Sequence, residues 1–357
     1  MRATGKQSRL KKPTAKRLRI LFTCVGRRVQ LLTAFRQAAD RLGVNLDVHG
    51  ADATRFSPAM HLVDKAHTVA PIAEGRYVEE LLAIARRSET DLVVPLIDSE
   101  LPLIAAAADR FAAIRCRALI SSPSVVRICR DKLATYDCLQ KAGIDTPRTW
   151  PWVAVTTLKR HHFPYYLKPR TGSAAVGNYV VRTVNELETF GRRVPDAIVQ
   201  EFVDGSEHTL DVYCGLDGRP RCVVPRKRIE VRTGEVSKGV ITKDAALMAV
   251  GRNVAEVLGE CRGVITVQCI VEAGGRIRVI EINPRFGGGA PLSIRAGADF
   301  PGWIMTELLG KTPRINPTGF RDDLAMLRYD EAVFVANASK LLNTSRPPRR
   351  PTVSASS

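Results

Sequence analysis

The chain has 357 residues, a net charge of +18 and a hydrophobic share of 45%, the composition of a globular protein long enough for two or three domains. No run of 18 apolar residues is present, which excludes a helical membrane span, and no apolar segment precedes Leu18, which argues against a secretory signal. Eight scattered cysteines without a C-x-x-C pair signal neither a zinc site nor a disulfide framework, so reduced thiols in a cytoplasmic setting are expected.

The charge is unevenly placed. Residues 1–19 hold eight Lys/Arg and no acid, residues 332–357 hold four and no acid, and +6 is left for the middle. Residues 1–17 read as a basic disordered tail, because their composition cannot bury enough apolar surface to order them. Residues 332–357, with Pro347, Pro348 and Pro351, read as a second tail. No aromatic residue interleaves with the N-terminal charges, so a base-stacking surface is not indicated.

From Leu18 the pattern alternates. Leu18 to Val25 is a β-prone apolar run ending at Gly26, and Val29 to Leu42 has helical spacing. Val44 to Gly50 reads as a strand, Tyr77 to Arg87 as a helix, Asp91 to Leu96 as a strand, Leu101 to Phe111 as a helix and Arg117 to Ser121 as a strand. Strand alternating with helix implies a parallel, doubly wound sheet. Gly26 follows the first strand without a G-x-G-x-x-G, so a dinucleotide site is poorly supported. Asp98 and Glu100 stand after a strand, where they either face a cleft or simply favour a helix N-terminus.

Ser122-Pro123 restarts a helix, and Asp131-Lys132 leads into another over Leu133 to Ala142, closed by Gly143. Tyr165 to Lys168 reads as a strand running into PRTGSAAVG. The loop of Gly172, Ser173, Ala174, Ala175 and Gly177 lets backbone N–H groups approach phosphate oxygens. Asn178-Tyr179 stands where a P-loop has Lys-Ser/Thr, so this is not a Walker motif. Ile198 to Val203 reads as a strand. After it Glu207, Thr209 and Asp211 share one strand face. In the basic stretch Arg219 to Arg232, Arg226 and Arg228 fall on one face, either to bind a γ-phosphate or carboxylate or as a solvated surface. Ala245 to Leu258 has helical spacing.

The richest stretch is Val264 to Gly289. Val264 to Glu272 and Arg276 to Ile282 read as strands joined by a two-residue turn at Gly274-Gly275. That turn places Gln268 opposite Glu281, with Asn283 on the same face as Glu281. A carboxylate and two amide carbonyls then form a set of hard oxygen donors suited to Mg²⁺ or Mn²⁺ carrying phosphates. Pro284 stops the strand, and Arg285 adds a fixed positive charge.

Gln268 together with EINPR at 281–285 resembles the metal-binding end of the ATP-grasp superfamily. The wider chain, over roughly 18–315, resembles its carbamoyl-phosphate-synthase-like branch. The resemblance implies an α/β protein, α+β in its ATP-grasp part, with an N-terminal doubly wound pre-ATP-grasp domain over 18–124 that helps to form the substrate cleft. A two-lobed ATP-grasp fold would follow over 125–315, the A lobe at about 125–200 and the B lobe at about 201–315, with an extension at 316–357. It assigns Lys168 to the α- or β-phosphate, Gly172, Ser173 and Gly177 to the phosphate loop, and Gln200, Glu201 and Val203 to adenine, largely through backbone groups. Glu207 falls near the ribose or phosphates, and Gln268, Glu281 and Asn283 at the metal. Arg285, Lys168 and Arg228 become the cations that stabilise phosphoryl transfer.

The implied activity is ATP-dependent activation of a small carboxylate as an acyl phosphate for attack by an amine. Phosphorylation of carbamate or bicarbonate is the nearest alternative, and a nucleic-acid-binding or nucleotide-sensing protein the alternative from another class. The expected partners are ATP, a carboxylate and an amine, with no membrane and no nucleic acid. The oligomeric state is left open.

Overall fold

The structure is a computed structural model that describes residues 16–172, 175–232 and 234–344. Of the expected tails at 1–17 and 332–357, residues 1–15 and 345–357 lie outside the described residues, as do Ser173 and Ala174, while 339–344 form a helix.

The N-terminal third forms a five-stranded parallel sheet in the order β3-β2-β1-β4-β5. Its strands are β1 (Arg17–Thr23), β2 (Asn45–Asp52), β3 (Lys65–Thr68), β4 (Leu92–Pro95) and β5 (Arg117–Ala118), connected through α1 (Val29–Leu42), α2 (Tyr77–Arg87), α3 (Leu101–Ala106) and α4 (Ala108–Ala113). Successive residues of β1 feed opposite cores. Ile20 and Phe22 pack with Phe35 of α1, whereas Leu21 packs with Leu81 of α2 and Ile104 of α3. A strand covered on both faces must be apolar throughout, which is why β1 and β4 read as continuous runs. The sequence reading has no counterpart for β3, whose residues Lys-Ala-His-Thr carry no such run. The helix expected over Leu101 to Phe111 is broken at Ala107 into α3 and α4. Arg17 belongs to β1, bonded to Asp47, so the N-terminal tail stops short of it.

Two helices, α5 (Pro123–Arg130) and α6 (Lys132–Lys141), lead into a second sheet, antiparallel, in the order β6-β9-β7-β8. It is built from β6 (Thr149–Pro151), β7 (Tyr165–Pro169), β8 (Tyr179–Val181) and β9 (Ala197–Glu201), with α7 (Trp152–Thr156) and α8 (Val184–Arg193) beside it. The helix α8 had a readable start. Thr183 caps it by accepting from the Glu186 N–H at 3.2 Å, and Glu186 reaches back to the Arg182 N–H at 2.6 Å.

The third sheet is antiparallel, ordered β14-β13-β10-β11-β12-β15. Its strands are β10 (Ser206–Cys214), β11 (Pro220–Arg232), β12 (Glu235–Ile241), β13 (Gly263–Val271), β14 (Ile277–Asn283) and β15 (Ala325–Leu327). The helices α9 (Ala245–Leu258), α10 (Ala290–Arg295), α11 (Phe300–Leu308) and α12 (Ser339–Thr344) complete the chain. One sheet face is dry: Leu210, Val212, Val223, Ile265 and Val267 pack against Leu247, Val254 and Ala255 of α9. The chain past residue 316 does not leave the body at once, since Phe320 is buried and β15 pairs with β12. Among the described residues no helix is long and apolar enough to cross a membrane.

The turn between β13 and β14 differs from the two-residue expectation. Near it the register pairs Val271 with Ile277 and Cys269 with Val279, so three residues, Ala273 to Gly275, close the loop within the Glu272–Arg276 pair. Gly275 takes the left-handed conformation there, at φ 82°. A bulge between Gln268 and Cys269 on one side and Glu281 and Val279 on the other then absorbs Ile280 as an extra residue. The two one-residue shifts cancel, and Gln268 pairs with Glu281 after all. The bulge also reverses side-chain parity. Val279 and Ile282 both enter the dry core, while Glu281 and Asn283 reach the opposite, polar face.

Candidate active site

The polar face of the third sheet carries the candidate residues in rows set by register. Glu281 of β14, Gln268 of β13, Thr209 of β10 and Arg226 of β11 lie side by side, and Asn283, Thr266 and Asp211 form the next row. Arg228, one residue past the His208–Lys227 pair, is ion-paired with Glu207 at 2.9 Å. Burial holds the Glu207 carboxyl above the usual carboxylate range, with Arg228 lowering it and the charge of Glu281 adding to the rise. Glu281 itself has no hydrogen-bond or ion-pair partner among the described residues.

Between this face and the second sheet lies a cavity of about 420 Å³. Lys168, Gln200, Glu201, Val203, Glu207, Arg228, Gln268, Glu281, Asn283 and Arg285 all line it, so the fold brings together most of what the sequence singled out. Lys168 is buried and donates to Gln200 Oε1 at 2.9 Å. Gln200 Nε2 donates in turn to Thr149 Oγ1 at 2.9 Å. The Gln200 side chain is therefore spent on orienting the lysine. The Glu201 side chain is spent as well. Its carboxylate accepts from Arg278 Nη2 at 2.6 Å and from the Arg148 N–H at 3.2 Å, a clasp between β9 and β14. The N–H of Val203 has no hydrogen-bond partner among the described residues, and Phe202, Ile270 and Ile280 give this part of the cavity apolar walls.

The entry to the small-residue loop is held at Arg170 and Gly172. Asp131 caps α6 and grips Arg170 at 2.9 and 2.6 Å, and Lys132 Nζ donates to Gly172 O at 3.3 Å. Gly177 is required where it stands: its φ is 77°, and a Cβ there would sit 3.1 Å from Pro169 Cγ. Asn178 lines the cavity and donates to Tyr166 Oη at 3.1 Å. The sequence reading did not single out Tyr166 as part of this wall.

A second cavity, about 410 Å³, adjoins the first and shares Arg228, Gly234, Gln268 and Arg285 with it. Its other walls come from the loop after β1 (Arg27, Arg28), the loop after β4 (Leu96 to Asp98) and the glycines 287–289. Asp98 accepts from Arg285 Nη2 at 2.5 Å across 187 residues of chain, so it does face the cleft. Glu100 does not. It is fully buried and accepts from the Tyr77 hydroxyl at 2.6 Å and the Leu96 N–H at 2.9 Å, holding the loop that carries Asp98. Arg226 lies on the wall of this second cavity. Its Nε and Nη2 are spent on Asp211 at 2.7 and 2.9 Å, and only its buried Nη1, without a hydrogen-bond partner among the described residues, is left at the wall of this cavity. A larger groove of about 680 Å³, lined by α4, β5 and the loop after α9, contains none of the expected site residues.

The sequence and the fold match known proteins. An ATP-grasp domain model matches residues 129–289 and a PylC-like N-terminal domain model residues 20–119. The D-alanine--D-alanine ligase of Moorella thermoacetica is 30% identical over 215 residues, covering 50% of this chain and 68% of the ligase. The chain belongs to the ATP-grasp family. D-alanine--D-alanine ligase A of Bacillus cereus is similar over 109 residues, 28% identical, covering 27% of this chain and 34% of that protein. The matched stretches thus span about a third to two thirds of these relatives. The crystal structure of the L-amino acid ligase from Bacillus licheniformis shares the fold, with a TM-score of 0.65 at 20% identity over 83% of this chain and 75% of that one.

In this ATP-grasp cavity Lys168 makes a pH prediction. Burial pushes its ammonium from the ordinary 10.5 down to about 8, against the pull of Glu281 and with the push of Lys132. A neutral lysine cannot hold a phosphate, so ATP affinity is expected to fall as pH rises above about 8, by up to about tenfold per pH unit. Fold stability should move the other way. Between about 8 and 10.5 the unfolded chain holds the proton more tightly than the folded one, so stability rises with pH over that window. Lys168→Met, which keeps the stem, should weaken ATP binding by at least tenfold at pH 7 and abolish both trends. Calorimetric titrations of ATP and melting curves from pH 7 to 10 check this, and unchanged affinity in the variant would reject the assignment.

Proposed function

We propose that this protein is an ATP-dependent carboxylate–amine ligase. The observation that carries the reading is the continuity of two cavities through Gln268, Arg228 and Arg285: a phosphate-binding cavity opens onto a second, cationic one at the groups that stabilise transferred charge. In the first, Lys168 and the Gly172–Gly177 loop would hold the phosphates of ATP, and the Val203 N–H would meet the base. In the second, a carboxylate would lie beside Arg285, within reach of the γ-phosphate.

The donor set fits a divalent cation. Glu281 is an unpartnered carboxylate between the amides of Gln268 and Asn283, and Glu207 feels its charge. Among the described residues there is no group of three or more His, Cys, Asp or Glu that could hold an ion. The cation would therefore be shared with phosphate oxygens, as Mg²⁺ or Mn²⁺ usually is. Bound there, it would neutralise phosphate charge and polarise the γ-phosphate.

The carboxylate oxygen attacks the γ-phosphorus, an acyl phosphate forms and ADP leaves. The amine then attacks the acyl carbon, a C–N bond forms, and the C–O bond to phosphate breaks. Lys168 and Arg285 supply fixed positive charge as it develops on the transferring oxygens, and Asp98 keeps the Arg285 guanidinium in position. Gln200 does the same for Lys168. On this reading residues 18–124 complete the substrate cleft of an ATP-grasp body at 125–315, and eight free thiols fit a reducing, cytoplasmic setting.

The test is a screen of amino acids and small carboxylates for ADP and phosphate release with Mg²⁺ and ATP. Release that depends on both a carboxylate and an amine supports the ligase. ATP binding without any carboxylate-dependent release would overturn it in favour of a nucleotide sensor.

A further inference from the structure

The second cavity lies beyond the C-terminal ends of β1 and β4, neighbours in the parallel sheet whose next strands lie on opposite sides of the pair. The crevice at such a reversal is where open α/β sheets take ligands. A dinucleotide is not what this one fits. Asp52, the acid at the end of β2, is consumed by the Gly26 N–H at 2.9 Å, and the walls are strongly cationic.

Arg27, Arg28, Arg226, Arg228 and Arg285 line the cavity, against two carboxylates, Asp98 and Glu235. Asp211 and Glu207 behind Arg226 and Arg228 offset two of the charges, and Arg328, bonded to Glu235 at 3.2 Å, adds one, so the walls stay positive. All of these guanidinium groups except that of Arg27 are held in place by carboxylates. Glu235 pairs with Arg28 at 2.8 Å. A Cβ on Gly288 would sit 2.7 Å from Arg28 Nη1, and one on Gly289 2.2 Å from Arg226 Nη1, so the bare backbone there is what lets these arginines close over the loop. The Nε groups of Arg228 and Arg285 are buried with no hydrogen-bond partner among the described residues. Arg27 is exposed and has no ion pair among the described residues.

Two of these arginines already serve the shared mouth. Arg27 and Arg28 lie outside it, and the one carboxylate there, Glu235, is shared between Arg28 and Arg328, so positive charge is left over beyond the reach of a single anionic end of a substrate. We infer that the substrate of this cavity carries, besides the carboxylate presented to the nucleotide, a second anionic group, a carboxylate or a phosphate, seated at Arg27 and Arg28. The identity of the first end rests on the ligase reading, and the anion seat does not. A guanidinium pair recognises either anion through paired N–H donors.

The decisive measurement is binding. L-glutamate and O-phosphoserine are titrated against L-alanine and L-leucine, with Mg²⁺ and a non-hydrolysable ATP analogue present, for the parent chain, Arg27→Ala and Arg27→Lys. The acidic compounds should bind at least tenfold more tightly than the neutral ones. Arg27→Ala should remove at least tenfold of that preference while the melting temperature and analogue affinity stay unchanged, and Arg27→Lys should retain most of it. The order of glutamate and phosphoserine tells carboxylate from phosphate. Equal binding of neutral and acidic compounds, or acid binding indifferent to Arg27→Ala, overturns the inference. Acid binding that depends on Arg27, with no carboxylate-stimulated phosphate release, sinks the ligase reading and leaves the seat standing. Stimulation by neutral amino acids alone does the reverse.

Discussion

Glu281→Gln is expected to lower carboxylate-dependent ADP formation by two orders of magnitude or more, with the melting temperature unchanged. The substitution keeps shape and removes one negative charge from the only carboxylate in the Glu281–Gln268–Thr209–Arg226 row. Hard cations depend on such charge, and losing one preorganised electrostatic group typically costs about 10²–10³ in rate. Stability should hold because Glu281 has no hydrogen bond or ion pair to lose among the described residues, and its charge raises the neighbouring Glu207 carboxyl. Two further readouts tie the effect to the site. Glu281 supports the charge of Lys168, so in the variant the pH above which ATP affinity falls should move below about 8. Gln268→Ala should show a smaller defect, and Asn283→Asp should keep metal dependence while misplacing the phosphates. Parent-like turnover of Glu281→Gln at limiting Mg²⁺ would remove Glu281 from the metal.

The largest stability effect is expected at Asp211. Asp211→Ala leaves Arg226 charged in a site where its side chain is 1% exposed, and it strips the Ser293 hydroxyl of its acceptor at 2.6 Å. Removing one partner of a buried pair costs about 3–5 kcal/mol, read as a fall in melting temperature on the order of 10 °C. Replacing both partners, as Asp211→Leu with Arg226→Met, should recover most of the loss, because no uncompensated charge then remains buried. If Arg226 is a buttress, ATP affinity in the double variant returns with stability. If stability returns and ATP affinity does not, Arg226 touches the phosphates and its place here is wrong. Differential scanning fluorimetry and ATP titration on the two variants decide it.

These sites were legible to different degrees. The helix bounds Val29 to Leu42, Tyr77 to Arg87 and Ala245 to Leu258 appear in the structure as read, because each carries its own apolar stripe and stop signal. The edge strands β3 and β15 were not, since edges of four and three residues are too short to show a local pattern. The pairing of Gln268 with Glu281 was reached through a two-residue turn, whereas the chain uses a three-residue loop and a compensating bulge.

What the sequence by itself determined was the set of chemically capable groups and the face of β10 and β14 on which they fall, because side-chain alternation is a property of a few neighbouring residues. It could not say which of those groups are spent on one another. Gln200 on Lys168, Glu201 on Arg278, Arg226 on Asp211 and Glu100 on Tyr77 are each partnered across 15 to 77 residues of chain. Nor could it bring Arg27, Arg28 and Asp98 from the parallel sheet to Arg285, 187 residues past Asp98. Only the tertiary structure decides such pairings. A charge is neutralised by whichever partner packing delivers within a few ångströms in a low-dielectric interior, and that distance is written in no local stretch of the chain.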